Sequence, residues 1–374
     1  MKLSFLNGLY ERPGPWASVH LDAGRTDEST PGSRELQARE ARSSLRGQGA
    51  DEATAQTVYE ALAGGPGPTG TAGRAVFATS GEVVLDRPLT TRPPSGVDTH
   101  WSALPRVAPL LDLAAQEPVC LIAYIDRIGA DLELRTPLGR RSAGQAQGLD
   151  RPVHRAGRDE MSESHFQRSV ENTWEHNAEE VAKAIAACQE DVRADVIVLA
   201  GDARERRSVH RRLPVALQDL TVETEHGGRA EGAGTRLLDE DVERAAQEYA
   251  QRLTEAGMDR FLSAHEGAAE GVAALVEAAR EHRIAELFVC PEGADTHREV
   301  WVGPEPDQVA VRRSDTQYLG ETHPASARAD DALLRSAAMT GAPAQAVHID
   351  GAHRVPVGGL GALLRWRYHQ GERE

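Results

Sequence analysis

Lysine is almost missing: Lys2 and Lys183 are the only two in the chain, so the positive charge rests on arginine. Aromatic residues make up 4% of the sequence, and any core must be built mainly from Ala, Val and Leu. The three cysteines, Cys120, Cys188 and Cys290, lie far apart among apolar neighbours. Without a CxxC pair they indicate neither a zinc site nor a disulfide framework, and they read as buried thiols in a reducing compartment. No apolar run is long enough to span a bilayer. Lys2 is followed by no adequate apolar stretch, which predicts no signal peptide. Nucleophile-elbow, HExxH and P-loop patterns are absent, and residues 64–73 (GGPGPTGTAG) lack the strand and lysine context of a phosphate cradle. The expectation is a soluble, cytoplasmic protein with no cofactor and no metal.

What is present is a length of 374 residues, enough for two or three domains, with 40% apolar and 27% charged residues. The net charge of -16 argues against a general nucleic-acid coat and against DNA, so any RNA contact must be local. Patterning divides the chain into 1–113, 118–264 and 265–374. In the first segment a strand is expected over 17–21, a charged helix over 34–46, a hairpin around Ser80–Gly81, and extended, proline-rich chain over 89–98. In the second, strands are expected at 119–125, 131–135, 196–200 and 220–224. Helices are expected through 188, over 203–212 and over 237–262. In the third, helices at 268–282 and 330–340 alternate with strands at 286–290, 309–312 and 344–349, and the apolar ending 358–366 reads as a short helix. Alternating strands and helices predict three α/β domains, the last a small α/β/α sandwich.

Two features carry local chemistry. From 135 to 168 there are seven arginines (135, 140, 141, 151, 155, 158, 168) against four acids, in what reads as a long loop running into a helix. Ser162 is a candidate N-cap, and Phe166, Val170, Trp174, Val181, Ile185 and Cys188 share one face of that helix. Residues 203–212 form a second basic element, with Arg204, Arg206, Arg207, Arg211 and Arg212 opposed only by Glu205. Clustered guanidinium groups of this kind suit RNA phosphate. Asp126 and Asp202, at the ends of two expected strands, could hold a pair of Mg²⁺ ions for phosphodiester cleavage. Turn formation and helix capping explain them more simply, since no further carboxylate is placed with them.

In Ser162-Glu163-Ser164-His165-Phe166 the chain resembles the Ser-x-x-Arg-Phe opening of the long helix in archaeal and eukaryotic release factors, with His165 at the arginine position. VIVLAG (196–201) is similar to the next core strand of those proteins, and ALLRSAAMTGA (332–342) and GGLGALLRW (358–366) are similar to the ending of their relative Pelota. The chain thus resembles the release factor–Pelota superfamily, and within it the bacterial branch of Balon-like ribosome hibernation factors of actinobacterial type. The resemblance implies an RNase H-like middle domain. It also implies a first domain on the decoding-centre side, binding to rRNA in the ribosomal A site, and EF-Tu as GTPase partner. Aligned from Ser162, the Gly-Gly-Gln release tip falls on Asp159, Glu160 and Met161. Acidic side chains lack glycine's backbone freedom and oppose rRNA, and methionine cannot orient water.

These features predict a non-enzymatic ribosome-binding translation factor of hibernation or rescue type that contacts rRNA through His154, Arg155, Arg158, His165 and Arg168. A peptidyl-tRNA hydrolase acting through another group of the same loop is the enzymatic alternative. A stress-linked protein scaffold that never meets RNA is the third.

Overall fold

The computed structural model describes residues 1–22, 31–64, 72–89, 91–113, 118–136, 139–147, 160–229, 235–348 and 354–366; the side chains of 31, 160–173 and 235 are outside that description. The chain divides into two compact units, one formed by Met1–Gln116 with Thr254–Glu374, the other by Glu117–Leu253. Each is an α/β structure, and each sheet is explained by which faces its strands bury.

The chain opens with helix α1 (Asn7–Tyr10) and strand β1 (Trp16–Asp22), followed by α2 (Pro31–Gly47), α3 (Glu52–Ala63), β2 (Gly73–Thr79), β3 (Glu82–Leu89), β4 (Val97–Ser102) and α4 (Leu110–Leu113). The strands make an antiparallel sheet in the order β3-β2-β1-β4. Side chains alternate across a strand. Ala17, Val19 and Leu21 of β1 therefore join Leu45, Val58 and Leu62 of α2 and α3 in one core. The opposite face carries Trp16, Phe77 and Leu89, which share a core with residues from the last third of the chain, Leu275, Leu287, Leu333 and Leu360 among them. Two features here were not read from the sequence. Helix α3 is started by Asp51, whose carboxylate accepts the Thr54 N–H at 2.8 Å. The stretch read as extended to residue 98 gives way to β4, paired with β1 from Trp16↔Ser102 onward. The expected helix over 34–46 is α2.

The second unit holds β5 (Cys120–Ile125), β6 (Gly129–Thr136), β7 (Gly139–Gln147), α5 (Glu160–Val192), β8 (Val196–Gly201), α6 (Ala203–His210), α7 (Val215–Gln218) and β9 (Thr221–Thr224). Its sheet runs β7-β6-β5-β8-β9; β6 is antiparallel to both neighbours, while β8 lies parallel to β5 and β9 to β8. Leu121, Ala123, Ile125, Ile197 and Leu199 face one way, onto Val181 and Ile185 of α5 and Val209 of α6. Ile122, Val196, Val198 and Ala200 face the other way, onto Leu238, Val242 and Ala245 of α8 (Thr235–Ser263). Burial on both faces is why VIVLA reads as an unbroken apolar run. The loop reading of 135–168 is corrected at both ends. Residues 139–147 form β7, and α5 begins at Glu160, which places Ser162 inside the helix rather than at its cap. β7 is polar because most of it is solvent-facing, and only Ala146 is buried.

The division between units falls within α8, whose Met258 and Phe261 pack with Phe288 and Val347. Beyond it come β10 (Ala268–Glu270), α9 (Val272–Arg280), β11 (Ile284–Val289), β12 (Glu299–Val302), β13 (Val309–Ala310), β14 (Ala325–Arg328), α10 (Ala329–Met339), β15 (Ala344–Ala346) and β16 (Leu360–Leu364). They form a four-stranded sheet, β10-β16-β11-β15, and a three-stranded one, β13-β12-β14. Two expected helices are corrected. Residues 268–270 are a strand, separated from α9 by Gly271 at φ 79°. The apolar ending is strand β16, not a helix. It follows Gly358 and Gly359 at φ 68° and 87°, a left-handed pair that cannot continue into a right-handed helix, and its register then locks onto β11 and β10. Among the described residues no helix is long and apolar enough to cross a membrane.

Candidate nucleic-acid interface

β8 ends at Gly201, where a Cβ would lie 2.3 Å from the Ile125 carbonyl oxygen and φ is 142°. Only glycine lets the chain pass so close to the neighbouring strand and turn outward. Asp202 follows as the N-cap of α6, its carboxylate accepting the Arg204 N–H at 2.9 Å. The helix then sorts its arginines by face. Arg206 and Val209 are buried; Arg206 sits 3.8 Å from Glu223, to which His210 Nδ1 also comes within 2.8 Å. Arg212, just past the helix, donates to the Ser208 carbonyl at 2.9 Å. Arg204, Arg207 and Arg211, at spacings of three and four, form an exposed ridge. Among the described residues Arg207 has no acidic partner.

Beside this ridge stands Trp174 of α5. The guanidinium carbons of Arg127 and Arg204 lie 5.1 and 4.7 Å from its ring centroid. Arg127, after β5, has a side chain 70% exposed and reaches Glu205 at 3.5 Å. Stacking on an aromatic face holds a guanidinium's direction. Burial, then a hydrogen bond donated to the Asp202 carboxylate, push the Glu205 carboxyl up. The Arg204 N–H, then the contact with Glu205, pull Asp202 down. Trp174, Arg127, Asn177, Arg204 and Ser208 line a cavity of about 230 Å³ between α5 and α6.

His154, Arg155, Arg158 and Asp159 lie outside the described residues. Glu160, Met161, His165 and Arg168 fall on the first three turns of α5. Three of the seven arginines counted into the loop belong elsewhere: Arg135 is on β6, Arg140 and Arg141 on β7, and both Arg135 and Arg140 pair with Asp239. Asp126 is a turn former. Its Oδ1 accepts the Ile128 and Gly129 N–H groups at 2.8 Å each, and Arg229 binds both its oxygens. Asp202 acts as a cap, and among the described residues no cluster of three or more His, Cys, Asp or Glu is placed to hold a metal ion. The Trp174–Arg127–Arg204 stack was not legible in sequence. Trp174 fits the apolar face of α5 by spacing, and Arg127 and Arg204 are far from it along the chain.

Residues 119–268, which include the whole five-stranded sheet, match the family described as Bacterial archaeo-eukaryotic release factor family 2. The link is at the level of the superfamily. Two Mycobacterium tuberculosis proteins, Rv2629 of strain H37Rv and MT2704 of strain CDC 1551 / Oshkosh, are each 28% identical to this chain over 98% of its length and 97% of theirs. Among solved structures, Saccharomyces cerevisiae Dom34, a translation termination-like factor involved in RNA quality control, aligns over 80% of this chain and 81% of its own at 12% identity and a TM-score of 0.40. Archaeoglobus fulgidus Pelota aligns over 79% and 80% at 14% identity and a TM-score of 0.38.

Proposed function

We propose that the protein is a ribosome-binding translation factor that occupies the A site in hibernation or rescue and does not release peptide. The observation that carries this reading is the match of 119–268 to the bacterial archaeo-eukaryotic release factors. The sheet order β7-β6-β5-β8-β9, three antiparallel strands followed by two parallel ones, supports an RNase H-like middle domain over 118–264. The first domain, 1–113, would face the decoding centre, and the last, 265–374, would be the α/β/α domain that docks partners, EF-Tu first among them. Asp159, Glu160 and Met161 at the release-tip positions remove the glycines and glutamine on which water placement depends. Contact with rRNA is assigned to His154, Arg155, Arg158, His165 and Arg168, joined by the exposed Arg204–Arg207–Arg211 ridge and by Arg127. The site is local, as it must be on a chain of net charge -16.

The test is sedimentation of the protein with ribosomes from starved cells at low salt, alongside a peptidyl-tRNA release assay on the same ribosomes. Cofractionation without release is expected. Failure to cofractionate ends the reading, and release that disappears in His165→Ala would replace it with the hydrolase.

A further inference from the structure

Helix α6 separates two hollows in the middle unit, and Arg204 and Arg211 line both. On one side lies the cavity of about 230 Å³ against Trp174. On the other lies a shallow groove of about 540 Å³, lined by Asp202, Arg204, Arg207, His210, Arg211 and Glu223. The two differ in charge. In the groove Glu223 is offset by the buried Arg206, which leaves Asp202 alone against Arg204, Arg207 and Arg211. A positive groove of this kind suits phosphate. The cavity has as many carboxylates as guanidinium groups, with Asp126, Glu175 and Glu205 set against Arg127, Arg204 and Arg211. Such a balance gives no net attraction to a phosphate. The rest of its lining is largely apolar, from Ile125, Ala178, Val181, Val209 and the Trp174 indole.

A neutral, flat group with polar edges fits the cavity, and a nucleotide joins such a group to a phosphate. At about 230 Å³ the cavity is smaller than the ~300 Å³ of a drug-sized site and takes one ring system rather than several. From Arg204 to Arg211 the helix axis rises about 10 Å, the length of about three stacked nucleotides. We propose that α6 binds single-stranded RNA, its phosphates following Arg204, Arg207 and Arg211 while one unpaired base inserts between α5 and α6. The base packs against Trp174 and the guanidinium groups of Arg127 and Arg204 that lie over its ring. Indole and guanidinium planes hold a base by its face, whatever its sequence. A duplex meets the groove with its phosphates but cannot fill the cavity without giving up the pairing and stacking of a base. The proposal rests on the rRNA-contact reading and narrows it to the unpaired loops and bulges of a structured RNA.

The full-length protein is titrated by fluorescence anisotropy with an end-labelled oligoadenylate of about 20 nucleotides, alone and annealed to oligouridylate. The single strand should bind more tightly than the duplex by about fivefold or more. Trp174→Leu should weaken the single strand about five- to a hundredfold and change duplex binding by no more than about twofold. Arg207→Gln should weaken both and lower the salt dependence of each, because both give it a phosphate. The proposal is overturned by a single strand bound no better than the duplex, by Trp174→Leu weakening both alike or neither, or by an Arg207→Gln variant without effect. If Trp174→Leu does not fold, the wild-type ratio decides, and a value below about fivefold overturns the site. Ribosome sedimentation is read on the same preparations. Cofractionation without single-strand preference ends this site and keeps the ribosome reading; single-strand preference without cofractionation does the reverse.

Discussion

His20 illustrates what a single buried residue does to the stability of this protein. It lies on β1, 1% exposed, edge-on to Phe77 at 5.6 Å between centroids, and neither ring nitrogen has a partner among the described residues. Burial lowers its pKa from 6.5 to about 4. The unfolded chain therefore binds the proton more tightly than the native one, and stability falls as pH drops from 6.5 towards 4. The loss should be on the order of 3 kcal/mol, at 1.36 kcal/mol per pKa unit. Urea unfolding at pH 7 and pH 4.5 checks this: His20→Leu should lose markedly less stability on acidification than the wild type. Gly201 acts at the same scale through shape rather than charge, since any side chain there would meet the Ile125 carbonyl and push Asp202, with its cap, out of place.

At the scale of an element, α6 is the clearest case of one helix serving two environments. Val209 and Arg206 face inward, and the Arg204–Arg207–Arg211 ridge faces solvent. The ridge contributes little to folding, because exposed arginine charges are screened and weakly paired. Replacing all three arginines by glutamate should therefore leave the melting temperature within a few degrees of wild type. It should weaken binding to ribosomes or to an rRNA fragment by roughly tenfold or more at low salt, and flatten the dependence of affinity on salt concentration. Unchanged affinity with an unchanged salt dependence would remove this helix from the interface.

At the scale of the molecule, the order of the chain and the order of the cores differ. Leu6, Leu9, Trp16 and Phe77 share a core with Leu275, Leu333 and Leu360, from the other end of the sequence. The middle unit closes its sheet with residues 117–253 alone. A fragment of 117–253 should unfold cooperatively and give dispersed amide NMR spectra. A fragment of 1–116 should be loosely packed until 254–374 is added, because one face of β3-β2-β1-β4 would otherwise stand in water. Dispersed spectra from 1–116 alone would show that its second core suffices.

What the sequence determined by itself was the periodic part of the fold. Alternation and unbroken apolar runs placed β5, β6, β8 and β11, and three- and four-residue spacing placed α2, α5, α8 and α10, because these patterns report which faces must leave water. It also held the arginine density of 203–212. The tertiary structure decided the rest. It made β7 from a polar stretch whose hydrogen bonds come from β6, and β16 from a run that reads as helix until two left-handed glycines and two partner strands are in place. It also paired Arg135 and Arg140 with Asp239 and brought Arg127 and Arg204 onto Trp174. Each of these is a contact between residues distant in the chain, and local preference carries no information about such a partner until the chain has closed around it.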